Sequence, residues 1–424
     1  MDALEIEENI NGLSFRTAQE IIDISSDNID GFAELNLGGS NTITLHGKSL
    51  STISPMHFRI IPKIDSYVIG TDGNDILTGD NLNNYIKGSA DTLRRTADGY
   101  DILDGGLGDD VLDGGQSRYA TPGYDINIYK FDKNYGNDRI FGFFAADIYE
   151  GYSGIGGPEY EAGIKSDKIE IPNDVISSAN ALIESAENNE DGWAELAFEG
   201  TTITLHMLSV SQLKPDYFHI IPRTFLNIVG TIDNDTLIGG AGNDRLIGSD
   251  DPYDYSQDGS DLLIGGKGDD ILNGGGANNT SGGYSEDRYR FNNDFGNDYL
   301  ISFFAEDLCS NSCGTTNPDG KGALQSDRLE FNKSLAGTAT DLINSAENNP
   351  DGWAKIMIGE NSLTIFGIPK ESLKPDYFHI IPDVENTITG TKSFFGSDDD
   401  VLTGTVGNDY IEGSNDPLGR FEDG

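Results

Sequence analysis

Short apolar pairs alternate with glycine-rich polar turns over three stretches of this chain. Ile102-Leu103 follows Asp101, Val111-Leu112 follows the turn Gly105 to Asp110, and Ile271-Leu272 follows Gly265 to Asp270. The unit reads glycine, glycine, any residue, glycine, any residue, aspartate, then the apolar pair. Residues 239–247 (GGAGNDRLI), 265–273 (GGKGDDILN) and 105–113 (GGLGDDVLD) repeat it almost letter for letter. A six-residue turn this rich in glycine, followed by three extended residues, cannot be helical. It predicts a parallel β-solenoid with two nonapeptides per coil, in which Ile102, Leu103, Val111 and Leu112 partly face a narrow core.

Elsewhere the pattern changes. Ala194 to Phe198 and Thr201 to Leu205 alternate and meet at Glu199-Gly200, a hairpin signal, and Ala354 to Ile358 with Leu363 to Phe366 repeats it. Ile176, Ala179, Leu182, Ile183 and Ala186 share one face of a helix predicted over Val175 to Ala186, with a counterpart over Thr338 to Ala346. Trp193 and Trp353 each follow an Asp-Gly turn and read as core anchors. These β-rich blocks of roughly 90 residues are expected to close the solenoid end, which otherwise exposes unpaired backbone, in mixed α+β or sandwich packing.

A longer period overlies the short one. Asp75 and Asp235, Asp110 and Asp270, Asp138 and Asp298, and Trp193 and Trp353 all stand 160 positions apart (235 − 75 = 160). The chain therefore reads as a tandem array. Residues 1–69 form a partial β-rich cap block, 70–140 a first solenoid, 141–229 a cap block, 230–300 a second solenoid, 301–389 a cap block and 390–424 a truncated third solenoid. Both ends fall inside units. The expectation is a cut from a longer array with Met1 added by expression, the alternative being a natural protein with degenerate caps.

Charge decides the chemistry. The chain holds 72 acidic and 27 basic residues in 424, a net charge of −45. Between Gly230 and Gly275 ten aspartates stand against two basic residues. Such density expands a chain until cations neutralise it. It excludes nucleic acid as a partner, which needs a basic footprint, and direct binding to anionic lipid. No apolar run is long enough for membrane insertion, and no basic-then-apolar leader opens the chain. Cys309 and Cys313 lie in a Ser/Asn/Gly-rich loop; a disulfide there would fit an oxidising compartment, and the first full unit lacks the pair.

Aspartate fills the sixth place of the turn at Asp75, Asp101, Asp110, Asp125 and Asp138, at Asp235, Asp244, Asp261, Asp270, Asp287 and Asp298, and at Asp400 and Asp409. Asn84 takes that place once. Stacked coils would bring these carboxylates and backbone carbonyls together, which is repulsive without a cation. Oxygen-only donors with no His or Cys nearby select Ca²⁺ over a transition metal.

The segments GGAGNDRLI, GGKGDDILN and GGLGDDVLD resemble the repeats-in-toxin (RTX, haemolysin-type) calcium-binding nonapeptides. That resemblance implies a parallel β-roll, so the fold class expected is mainly β, with calcium-stabilised rolls alternating with β-rich caps that contain a short helix. It also implies that carbonyls at positions two and four plus the aspartate of one turn share an ion with carbonyls at positions one and three plus the aspartate of the next. Gly106, Gly108 and Asp110 would then oppose Asp138. Gly266, Gly268 and Asp270 would oppose Asp298, and Gly240, Gly242 and Asp244 would face Gly265, Lys267 and Asp270. The remaining implied turn ligands are Gly70, Thr71, Gly73, Asp98, Gly99, Gly105, Leu107, Gly230, Gly239, Ala241, Asp258, Gly259 and Gly407. Tyr129 to Phe131, Gly136 to Ile140, Ser166 to Ile169 and Thr202 to Phe218 are similar to strands that follow such rolls. Insertions at Ser89 to Arg95, Gln116 to Thr121, Asp250 to Ser256 and Ala277 to Gly282 interrupt the rhythm and read as loops.

No HExxH or GxSxG occurs, and of His46, His57, His206, His219 and His379 four or five fall on expected strands at corresponding places, so no catalytic residue is expected. The favoured reading is a calcium-binding structural or adhesive segment of a large secreted or cell-surface bacterial protein, folding on Ca²⁺ outside the cell. The alternative is a non-catalytic, calcium-dependent secretion and folding module attached to an enzyme or toxin. The expected partners are calcium and, for an adhesin, surface glycans or other copies of the protein. The resemblance further implies type I secretion.

Overall fold

The computed structural model of the chain describes residues 3–89, 99–115, 127–145, 166–249, 259–275, 286–305, 326–381, 383, 386–389 and 409–412, the last two by backbone alone. The chain parts into two compact units at Ile220/Ile221.

In the first unit each glycine turn delivers a strand of three or four residues, and these strands stack in parallel. Ser66–Ile69, Asn84–Lys87, Val111–Asp113 and Gly136–Phe141 line up side by side in one sheet. Ile76–Thr78, Ile102–Asp104, Ile128–Lys130, Lys168–Pro172 and Phe218–Ile221 form the other. Leu77, Leu103, Tyr129 and Ile169 from the second sheet meet Ile86, Leu112 and Ile140 from the first in one core. The interior is thus about one side chain deep from each wall, and each coil touches mainly its neighbours.

Only the second residue of each apolar pair faces inward, because side chains alternate along a strand. Leu103 and Leu112 are in the core, whereas Val111 packs on the outer face with Ile61, Tyr85 and Phe141 and Ile102 is half-buried. Most stacked positions in the rolls are 26 residues apart, as with Asn84 and Asp110, which is eight more than two nonapeptides (26 − 18 = 8). Most residues of the predicted insertions lie outside the described residues.

The cap is continuous with the roll. Gly136–Phe141, the last roll strand of the larger sheet, pairs in parallel with Thr201–Leu205, whose hairpin partner is Ala194–Phe198. A cap built this way satisfies the roll's edge hydrogen bonds and seals its core with Leu196, Ile203, Leu205 and Phe218. The helix is shorter than predicted, Ala179–Glu184, because Ser178 caps it by accepting from the Ala181 N–H.

The second unit repeats the plan. Leu226–Val229, Asp244–Ile247, Ile271–Asn273 and Asn297–Ser302 continue into Asn361–Ile365 and Ala354–Ile358. Thr236–Ala241, Leu262–Lys267, Arg288–Phe291, Arg328–Asn332 and Phe378–Ile381 make the opposite wall. Its helix is Ala339–Ser345, with Thr338 as the cap.

Residues 3–61, in the first unit, form a smaller block. Leu4–Glu7 pairs with Phe58–Ile61 in parallel, and helix Ala18–Asp23 packs over Ile6, Phe15, Leu35 and Phe58. This block is clasped to the roll and its cap. Arg59 reaches Glu5 (3.3 Å) and Asp113 (3.2 Å), and Arg139 reaches Glu8 (2.8 Å). The Asp191 carboxylate accepts from the N–H groups of Ala18 and Gln19, both at 2.7 Å.

The close stacking of coils yields a prediction. Gly296 has φ +86°, and a Cβ there would stand 2.0 Å from the Gly268 carbonyl oxygen. Gly352 has φ +91° with nothing within 4 Å. Gly296→Ala should cost ~2–4 kcal/mol and Gly352→Ala only ~1–2 kcal/mol, since the second carries backbone strain without a clash. Urea unfolding of the calcium-loaded chain measures both, and equal costs would refute the steric account.

Candidate metal centres

The sixth residue of most turns stands at or just before the first residue of a strand, so stacking the strands stacks the aspartates. Along one edge of the first roll, the Asp75 N–H donates to Asp101 Oδ1 (3.0 Å), the Asp101 N–H to Asn127 Oδ1 (3.1 Å) and the Asn127 N–H to Asp167 Oδ1 (2.8 Å). Along the other edge, the Asn84 N–H donates to Asp110 (2.7 Å) and the Asp110 N–H to Asp138 (2.8 Å). The second roll has the same two ladders, Asp235 to Asp261 to Asp287 to Asp327 and Asp244 to Asp270 to Asp298, at 2.8–3.0 Å. A second set of rungs runs through the fifth position, where Asn83 accepts from the Asp109 N–H and Asp109 from the Asn137 N–H.

These ladders use one carboxylate oxygen. The other, Oδ2, is buried without a hydrogen-bond partner at Asp110, Asp138 and Asp270. It faces the first glycine of its own turn: a Cβ on Gly105 would stand 2.4 Å from Asp110 Oδ2, and one on Gly265 would stand 2.2 Å from Asp270 Oδ2. At Gly239 the same point lies 2.2 Å from the Gly265 carbonyl oxygen and 2.8 Å from Asp244 Oδ2. Glycine therefore keeps open a space where a carboxylate from one turn and a carbonyl from the next converge. The donors are all hard oxygens, and they fit Ca²⁺. Among the described residues no three His, Cys, Asp or Glu side chains converge, as befits a donor set made largely of carbonyls.

Burial without a partner raises the carboxyl pKa values, because desolvation penalises the charged form. Burial pushes Asp270 up to about 6, Asp110 to about 7 and Asp138 to about 9, in each case against the lowering effect of an accepted backbone N–H. Asp298 is raised well above the carboxylate range for the same reason. A divalent ion would reverse that balance, since it favours the charged form.

The positions implied by the resemblance fall as follows. Gly108 of one turn underlies Gly136 of the next, beside Asp110 and Asp138; Gly268 underlies Gly296 beside Asp270 and Asp298. Gly240 pairs with Gly266 and Ala241 with Lys267. Gly99 and Gly259 stack on the carbonyls of Gly73 and Asp233, and Leu107 is partly exposed at the turn tip. Asp98, Asp125, Asp258, Asp400 and Gly407 lie outside the described residues, and Asp409 opens the strand Asp409–Glu412.

Asp125 lies outside the described residues, and the neighbouring Asn127 stands in the ladder. The residue in register with Asp287 is Asn127, 160 positions earlier, and its amide oxygen takes the rung. Asp167 and Asp327, which end the ladders, were not in the predicted set. Their Oδ2 atoms accept from the N–H groups of Phe144 and Phe304, both at 2.8 Å. Their signal was an aspartate just before an apolar strand, without the preceding glycines.

One histidine packs as a structural group. His206 lies against Trp193 (3.9 Å between ring centroids) and edge-on to Phe141 (4.8 Å), with Nε2 3.0 Å from the Phe58 carbonyl. Burial lowers its pKa to about 4. Trp353 is buried against Phe366, and Trp193 is half-buried. No helix among the described residues is long and apolar enough to cross a membrane.

Five segments, residues 67–92, 95–117, 227–251, 255–283 and 396–416, match the family described as RTX calcium-binding nonapeptide repeat. No curated protein matches the chain. Among solved structures, the extracellular lipase LipA from Serratia marcescens is similar at 18% identity over 76% of this chain, with a TM-score of 0.22. The match spans 41% of that lipase chain. The first rungs of each ladder, Asp75, Asn84, Asp101 and Asp110 and then Asp235, Asp244, Asp261 and Asp270, fall within the matched segments, and the chain carries RTX calcium-binding nonapeptide repeats in tandem.

Proposed function

We propose that this chain is a non-catalytic, adhesive or structural segment of a large secreted or cell-surface bacterial protein, and that Ca²⁺ switches it from an expanded to a folded state outside the cell. The observation that carries this reading is the duplicated plan: two rolls with matching aspartate ladders, each running directly into its own hairpin cap. An accessory folding module needs one roll, whereas a chain that repeats roll and cap presents length and stiffness.

The mechanism is electrostatic. At low Ca²⁺ the net charge of −45 and the buried Oδ2 atoms oppose folding. An ion held by Asp110, Asp138 and the carbonyls of their turns supplies the missing positive charge. Its binding free energy then becomes folding free energy. The stretch from Gly239 to Asp298 does the same in the second roll.

Titrating Ca²⁺ into the full chain while following Trp193 and Trp353 fluorescence tests the switch. A cooperative change at ~10⁻⁴–10⁻³ M, the range of extracellular calcium modules, is the expected result. The adhesive role is tested by retention of the calcium-loaded chain on glycan-coated or self-coated surfaces. Equal retention with and without chelator would count against it.

A further inference from the structure

The turns that open the two rolls differ from those that follow. They read Gly70-Thr71-Asp72-Gly73-Asn74-Asp75 and Gly230-Thr231-Ile232-Asp233-Asn234-Asp235, with threonine where the turns Gly105 to Asp110, Gly239 to Asp244 and Gly265 to Asp270 have glycine. Gly404 to Asp409 (GTVGND) has the same threonine. At Thr71 both the N–H (2.6 Å) and the hydroxyl (2.9 Å) donate to Asp75 Oδ2. At Thr231 both donate to Asp235 Oδ2 at the same two distances. The hydroxyl also accepts from the N–H two residues on, at 3.2 Å in each roll.

The inner turns are the reverse. Their second residues, Gly106 and Gly266, have φ +86° and +108°, and the Oδ2 atoms of Asp110 and Asp270 accept nothing. A β-branched threonine is excluded from that left-handed region, and neither Thr71 nor Thr231 has positive φ. In these four turns, threonine at position two goes with a hydrogen-bonded Oδ2 and glycine with a partnerless one.

Resting on the calcium reading above, we propose that Thr71 and Thr231 convert the first turn of each roll into a hydrogen-bonded stop, which holds its aspartate without a cation. To coordinate an ion, Asp75 Oδ2 would have to give up two donors that already satisfy its charge, whereas Asp110 Oδ2 gives up none. Exposure points the same way. Asp75 and Asp235 are half-exposed, while Asp110 and Asp270 are fully buried. Gly70 and Gly230 leave the same space beside a carbonyl of the next turn (2.0 Å from the Gly88 and Gly248 oxygens to the Cβ point), so the two threonine donors are what set these first turns apart.

Counting ions bound to the full chain by native mass spectrometry, with Ca²⁺ alone as the probe, tests this. Asp75→Asn with Asp235→Asn should leave the saturating count unchanged, since asparagine still accepts from threonine. Asp110→Asn with Asp270→Asn should lose at least one ion per roll. Thr71→Gly with Thr231→Gly should raise the count, because glycine reopens the left-handed conformation. Circular dichroism in Ca²⁺ verifies that each variant is folded. A folded Asp75→Asn, Asp235→Asn chain that loses ions would overturn the proposal alone. A wild-type chain that takes up no Ca²⁺ would overturn the calcium reading and this inference with it.

Discussion

Chelating calcium at neutral pH should abolish most of the β-sheet circular dichroism of this chain. Each roll is held by thin walls of short strands, and its buried aspartates retain oxygens without partners at Asp110, Asp138 and Asp270. Leaving a buried polar atom unpaired costs ~1–3 kcal/mol, and more when it is charged. A site whose ion is at a hundredfold excess over its Kd contributes ~2.7 kcal/mol. Two such sites contribute ~5 kcal/mol, at the lower edge of the ~5–15 kcal/mol that holds a whole domain together. Withdrawal of calcium therefore removes a large part of a roll's stability and adds a penalty. A β signal that persists in EDTA would refute the account.

Acid should restore part of what EDTA removes. The folded-state pKa values of Asp270, Asp110 and Asp138 are raised to about 6, 7 and 9 from an ordinary value of 3.8. A raised carboxyl pKa means the folded chain binds more protons than the unfolded one, so stability falls as pH rises. The contribution is fully present below about pH 4 and is lost progressively above it, up to about pH 6 for Asp270, 7 for Asp110 and 9 for Asp138. In EDTA the β signal at pH 4.5 should thus exceed that at pH 7.5. With calcium the order reverses, because protons compete for the same oxygens. Lower net charge also helps in acid, but added salt screens that effect over ~8–10 Å while leaving buried groups almost untouched. Asp110→Asn, Asp138→Asn and Asp270→Asn together should flatten the pH dependence in EDTA. An unchanged slope in that triple variant would place the effect elsewhere.

The rolls were legible in the sequence because their geometry is written one residue at a time. Glycine at positions one, two and four, aspartate at six and an apolar residue at eight fix turn, rung and core together. Where the spelling lapses, the reading lapses too. Asp167 and Asp327 occupy ladder positions, but the stacked step there stretches to 40 residues and the glycines are gone. Asn127 holds a rung through its amide oxygen, since the rung needs only an accepting oxygen. The fifth-position rungs through Asn83 and Asp109 were missed because amides and carboxylates at turn tips ordinarily read as solvated. The cap was legible as hairpin and helix but not as a continuation of the roll, since parallel pairing of Gly136–Phe141 with Thr201–Leu205 joins segments some 65 residues apart.

The clasp of Asp191 on the amides of Ala18 and Gln19 joins points 173 and 172 residues apart, with the whole first roll between them. Tension applied between those points divides between two parallel paths, the wound coils and this short bridge. The coils would begin to unreel only after the bridge has yielded, so the segment should respond to pulling first as a stiff strut and then as a spring.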